Sequence, residues 1–252
     1  MLSALVIVAA VILYSAPASA SSQNSGVLPK VPDWRTQSTA HFDVYYPGDL
    51  DLYAERVAQE AERAYVHVSQ DMRHSLASRV PIYLFHSGDE LRQFRGGDER
   101  VLFVGQASHH IVFAVDASAD QWYGTLTHEL THVFEFDIVS SPTAPWVFEG
   151  LAEYERGEWE PKDLSALRQA VRANGIPNIS GLTDNSVNGD ARLVYNLGHA
   201  AFDFIEMRWG KPGVREFMMS LRQGGNAYQG GLHVSPSQFD QEFFRYLRGR
   251  LR

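Results

Sequence analysis

Thr127-His128-Glu129-Leu130-Thr131-His132 constrains this chain more than any other segment. Apolar residues flank and thread it: Leu126, Leu130, Val133 and Phe134. The pattern predicts a core-packed helix over residues 119–136. Histidines four residues apart stand on one helix face, so both imidazoles reach the same ion. Glu129, one residue on, projects beside that ion rather than onto it. The chain has no cysteine. That excludes disulfides, thiolate ligands and a cysteine nucleophile, and leaves His, Asp and Glu as the side chains to hold a metal.

A third ligand follows. Glu149 lies in Trp146-Val147-Phe148-Glu149-Gly150-Leu151-Ala152-Glu153-Tyr154, with sixteen residues between it and His132. Two His and one Glu form a common catalytic zinc set, which keeps a fourth position for water. Glu129 is then placed to take a proton from that water and pass it to a leaving amine. Glu149 and Glu153 are four apart and share a face of the next helix. Glu153 is expected to accept a hydrogen bond from the far nitrogen of a ligand imidazole, His128 by preference, fixing its tautomer.

Taken together, His128-Glu129-Leu130-Thr131-His132 and Trp146…Glu149-Gly150-x-Ala152-x-Tyr154 resemble the gluzincin metallopeptidases, the group of thermolysin and aminopeptidase N. In detail they are most similar to the exported bacterial peptidase MA family. The likeness takes in the early strand His41-Phe42-Asp43-Val44-Tyr45-Tyr46. It also takes in Tyr195-x-x-Gly198-x-x-Phe202-x-x-x-Glu206-x-x-Trp209-Gly210. It covers most of the chain after residue 33 and is specific only at the two metal segments. It implies an α+β, zincin-like fold, with a small-sheet αβ lobe, a helical lobe and the active-site helix between them. It implies His128, His132 and Glu149 as ligands of one zinc ion, Glu129 as general base, and a peptide or protein substrate. No Gly-Ala-Met-Glu-Asn segment like that of aminopeptidase N is present, so an amine-anchoring exopeptidase role has no support.

Peptide hydrolysis also needs a donor aimed at the developing oxyanion. Gluzincins take a Tyr or His from the helical half. Tyr195 and His199, four apart on one predicted helix, are the candidates, and the resemblance favours Tyr195. The strand at 111–115 precedes the metal helix, and by the same likeness it is expected to pair with extended substrate. His109 and His110 are read as ordinary polar residues. The acidic run from Glu153 to Glu160 is read as a solvated turn before any preference for cationic substrates.

Along the rest of the chain, alternation predicts strands at 41–46, 80–85 and 111–115, with a weaker one at 101–104. Helical spacing predicts helices at 49–75, 90–94, 146–154, 164–173, 192–209, 212–221 and 236–251. Ser235, Pro236 and Gln238 form a capping-box signature at the start of the last. Residues 33–252 read as one domain, an αβ lobe to 118 and a helical lobe from 119. Leu2–Tyr14 is apolar and uncharged, and Pro17-Ala18-Ser19-Ala20 follows. That predicts a signal peptide over 1–20, a linker over 21–32, export to the periplasm or medium, and no stable membrane insertion after cleavage. A net charge of −8 with no basic cluster argues against nucleic acid as partner. Two other functions fit the same ligands: a zinc hydrolase of non-peptide amides or esters, and a metal-binding protein without catalysis. The intact Glu129 argues against the latter, since a purely structural site has no use for a base.

Overall fold

The computed structural model describes residues 34–90, 111–115, 119–139 and 143–251. The segments read as signal peptide and linker lie outside these residues, as do His109, His110, the weak strand at 101–104 and most of the helix at 90–94. The class is α+β, mostly helical with one small sheet. Its strands are β1 (Trp34–Ser38), β2 (Phe42–Pro47), β3 (Val80–Phe85) and β4 (Ile111–Ala114). The helices are α1 (Asp51–Met72), α2 (Trp122–Ile138), α3 (Pro145–Arg156), α4 (Pro161–Arg172), α5 (Ala191–Arg222), α6 (Ala227–Gly231) and α7 (Pro236–Arg250).

The sheet runs in the order β1-β2-β3-β4. β1 meets β2 antiparallel, with Trp34 opposite Pro47 and Ser38 opposite Asp43. β2 and β3 are parallel, Val44 facing Ile82. β3 and β4 are also parallel, Ile82 facing Ile111. Parallel neighbours need a long crossover, and α1 supplies it between β2 and β3. Phe42, Val44 and Tyr46 alternate to one face of β2, and Val80, Ile82 and Leu84 do so on β3. The buried stripe of α1 (Ala54, Val57, Ala58, Ala61, Ala64, Tyr65 and Val68) is rich in alanine, which suits a close approach to its neighbours. Its Tyr65 ring also stands 5.5 Å from Phe134, joining α1 to α2.

The metal-motif helix α2 is apolar around much of its circumference. Its buried threonines spend their hydroxyls locally: Thr127 donates to the Tyr123 carbonyl and Thr131 to the Thr127 carbonyl, each at 2.8 Å. Pro145 opens α3 at its first turn, and Gly157 closes it in the left-handed region at φ 80°. α3 and α5 touch backbone to backbone. A Cβ on Gly150 would stand 2.4 Å from the Gly198 Cα, and one on Gly198 would stand 2.1 Å from the Trp146 carbonyl oxygen. α5 breaks at Gly210, φ 69°, two residues before Pro212, where the sequence separates helices at 192–209 and 212–221. The capping box on α7 is formed at both ends, Gln238 N to Ser235 Oγ 3.2 Å and Ser235 N to Gln238 Oε1 2.9 Å. β1 and α6 are not anticipated by the periodicity, and α4 begins at Pro161 rather than at Leu164.

Candidate metal centre

α2 and α3 bring the three expected ligands together. His128 Nε2 and His132 Nε2 are 3.2 Å apart. Glu149 Oε2 lies 3.5 Å from the first and 3.6 Å from the second. Ligands about 2.0–2.1 Å from a tetrahedral zinc are separated by about 3.3–3.4 Å. The triangle therefore has the dimensions of one face of such a tetrahedron. The imidazole planes cross at 88°, so the rings reach this point edge-on from different directions. Phe148 stacks on His132 at 4.0 Å and 8°, holding that ring against rotation. His132 and Glu149 are buried, 7% and 5% exposed.

The charges of the cluster call for a cation. Burial opposes charge on His132, yet the Glu135 and Glu149 carboxylates outweigh it and raise the imidazole to about 10. Glu149 is buried as deeply, and the two imidazoles outweigh that burial and lower its carboxyl to about 2. Without a metal the cluster takes up a proton. A divalent ion on the same three atoms supplies that positive charge instead, so the donor set fits zinc in number, type and spacing.

Behind each ligand imidazole stands a carboxylate. Glu153 is on the His128 side as expected, but its Oε1 is 3.7 Å from Nδ1, too long for the hydrogen bond read from the sequence. The reason is Arg192, whose Nη1 donates to that same oxygen at 2.7 Å. Arg192 also grips Asp163, Nη2 to Oδ2 at 2.8 Å and Nε to Oδ1 at 3.3 Å. Its guanidinium lies 5.4 Å from the centre of the Tyr195 ring. Behind His132 the partner is Glu135, whose Oε2 is 3.0 Å from Nδ1. Glu135 and Arg192 stand against the cluster and are not anticipated from the sequence. The signal for Glu135 was available, because it follows His132 at i,i+3 on the same helix face. Arg192 carries no such signal, being 39 residues from Glu153 in the chain.

Glu129 is half-buried beside the ligands and has no hydrogen-bond or ion-pair partner among the described residues. Tyr195 is buried and faces Glu149. Burial first, then the nearby Glu149 charge, raise its phenol. The structure thus brings Tyr195 to the ligand cluster. The His199 ring stacks on Trp159 at 4.0 Å and 13°, and Asp203 approaches it to 3.8 Å. Burial lowers it to about 4, leaving a neutral core histidine. The Trp159 indole donates to Asp203 at 3.1 Å, so part of the acidic run is folded into this packing rather than solvated. No protein-family model matches the chain. No curated protein matches it either.

Proposed function

We propose that this chain is a zinc-dependent peptidase of zincin-like fold, hydrolysing peptide bonds with Glu129 as general base. The observation that carries the reading is the His128–His132–Glu149 triangle with an unengaged carboxylate, Glu129, beside it. A structural zinc site closes with four protein ligands. Here three converge among the described residues, and Glu129, adjacent in sequence to His128, has no partner among them.

His128, His132 and Glu149 would hold the ion, which when bound acidifies water and polarises a carbonyl. Glu129 receives the proton of the attacking water and delivers it to the departing amine. With no partner among the described residues, it is available for both transfers. The Tyr195 hydroxyl donates to the oxygen on which negative charge develops. Its raised phenol keeps the proton needed for that donation. Glu135 holds the His132 imidazole in orientation, and Glu153 places negative charge behind His128. β4 has β3 on one side and no strand on its other side among the described residues, which suits addition of an extended substrate. No described helix is long and apolar enough to cross a membrane. Export rests on the apolar run and the Ala-Ser-Ala segment at the start of the chain.

Cleavage of a diverse peptide mixture by the purified chain, read by mass spectrometry, tests this. Activity should vanish with a zinc chelator. In Glu129→Gln it should fall by about 10²–10⁴-fold with zinc retained. A zinc-loaded chain that cleaves no peptide, or a Glu129→Gln variant that keeps most of its activity, would overturn the reading.

A further inference from the structure

Outside the triangle, the buried Glu155 has one carboxylate oxygen with no hydrogen bond among the described residues, and it stands beside two other ligand-type side chains. Glu155, near the end of α3, has a side chain only 1% exposed. Its Oε2 accepts no hydrogen bond. His67 Nε2 approaches that oxygen to 3.2 Å, but the ring's N–H direction misses it. Asp71, four residues along α1 from His67 and hence on the same face, completes the group. One ligand atom from each of His67, Asp71 and Glu155 lies within 4.8 Å of the others. Tetrahedral zinc ligands stand about 3.3–3.4 Å apart, and the 3.2 Å between His67 Nε2 and Glu155 Oε2 is close to that spacing.

The surroundings leave the group short of positive charge. Lys211 Nζ hydrogen-bonds Asp71 Oδ2, and the Arg215 guanidinium is spent on the Asp71 backbone carbonyl at 3.1 Å. Lys211 is hydrogen-bonded to Asp71 and acts on Glu155 only through space, so His67 is the one side chain in ion-pair distance of Glu155 among the described residues. Burial raises the Glu155 carboxyl, the expected response of an acid short of a counter-ion. An imidazole that stands within contact of a carboxylate without donating to it has the relation seen between His128, His132 and Glu149. There, too, nitrogen and oxygen converge at 3.5–3.6 Å on a common point.

We infer that His67, Asp71 and Glu155 form a second zinc site, distinct from the His128–His132–Glu149 centre. An imidazole among the donors selects a borderline transition metal over calcium or magnesium. The site joins α1, the helix that crosses between β2 and β3, to α3, the helix that carries Glu149. A metal there ties the sheet-bearing part of the chain to the helix of the third ligand.

Zinc content after loading and exhaustive dialysis, measured by inductively coupled plasma mass spectrometry, decides it. The full chain should retain about two ions, and His67→Ala and Glu155→Gln about one each. His67 is partly exposed and Glu155→Gln is isosteric, so both variants are expected to fold, and circular dichroism checks that they do. His128→Ala/His132→Ala should also retain about one ion, held by the second site. A full chain that holds a single ion and loses it in His128→Ala/His132→Ala overturns the second site and leaves the peptidase reading standing. The converse, a single ion kept by that double variant and lost in His67→Ala, supports the second site and removes the first. Undiminished zinc in His67→Ala and Glu155→Gln, or a full chain without zinc, overturns the inference.

Discussion

His128 and His132 are alike in sequence and unlike in what stands behind them. The Nδ1 of His132 meets Glu135 at 3.0 Å, a hydrogen-bonding distance. The Nδ1 of His128 has Glu153 at 3.7 Å, with that oxygen already taken by Arg192. Glu135 therefore orients its ligand more firmly. Glu135→Ala should weaken zinc binding by about 10–100-fold, and Glu153→Ala by less. Competition with a chromophoric chelator measures both. Glu135 also shows why a legible signal goes unused. The i,i+3 spacing places it on the ligand face, but its role depends on its burial beside the far nitrogen of His132, which spacing alone does not reveal. His199 teaches the reverse. Its position one turn after Tyr195 suggested a site role, while its packing is against Trp159. Because burial lowers its folded value to about 4 from 6.5, its contribution to stability is complete above pH 6.5. That contribution is lost as pH falls from 6.5 to about 4. The loss amounts to about 3 kcal/mol over that window. His199→Gln should flatten this part of a stability-against-pH curve obtained by denaturant titration.

Among the elements, those with long periodic patterns were readable and short or one-sided ones were not. α1, α2, α3 and α7 each place an apolar stripe on the core, and the α5 break is marked by Gly210 and Pro212. β1 shows no such pattern. Its residues Trp-Arg-Thr-Gln-Ser are polar after the first, and three of the five are exposed. Pairing with β2, not burial, makes it a strand. α6 has five residues, two of them glycine, too few for a period to register. The contact between α3 and α5 was equally hidden, because a glycine in a helix does not announce what it touches. Its consequence is testable. In Gly198→Ala the new methyl meets the Trp146 carbonyl, which is backbone and cannot swing away. The substitution should cost about 1–3 kcal/mol or more, seen as a lower denaturation midpoint. It should also depress activity, since Tyr195 lies one turn before the clash and Glu149 adjoins Gly150.

For the molecule as a whole, Arg192 is the group that makes separate helices behave as one support. From α5 it holds Glu153 on α3 and Asp163 on α4, and it covers the Tyr195 ring. Arg192→Ala leaves the buried Asp163 without its cation and Glu153 with only Arg156, at 3.5 Å. It should destabilise the fold by about 3 kcal/mol, measured by chemical denaturation. It should lower kcat as well, through the freed Glu153 and Tyr195. The architecture was legible as a sheet-bearing front and a helical back because the strands precede residue 116 and the helices that build the centre follow it. How those helices sit against one another was not. That arrangement depends on long-range partners such as Arg192 with Asp163 and Gly150 with Gly198.

The pairing of α2 with α3 has one more consequence, and it concerns the order in which the chain folds. All three ligands and Glu129 lie between residues 128 and 149, on two helices joined by a short connection. The loop that a metal must close is therefore small, and its entropy is modest. The sheet has to bring residue 44 to residue 82 and residue 82 to residue 111 before it stabilises anything. Contacts that are near in sequence form first. If the chain holds the proposed zinc, the helix pair can gather it as a local hairpin while the strands are still searching for their neighbours. Tyr195, which arrives from α5, joins a centre whose ligands are already assembled.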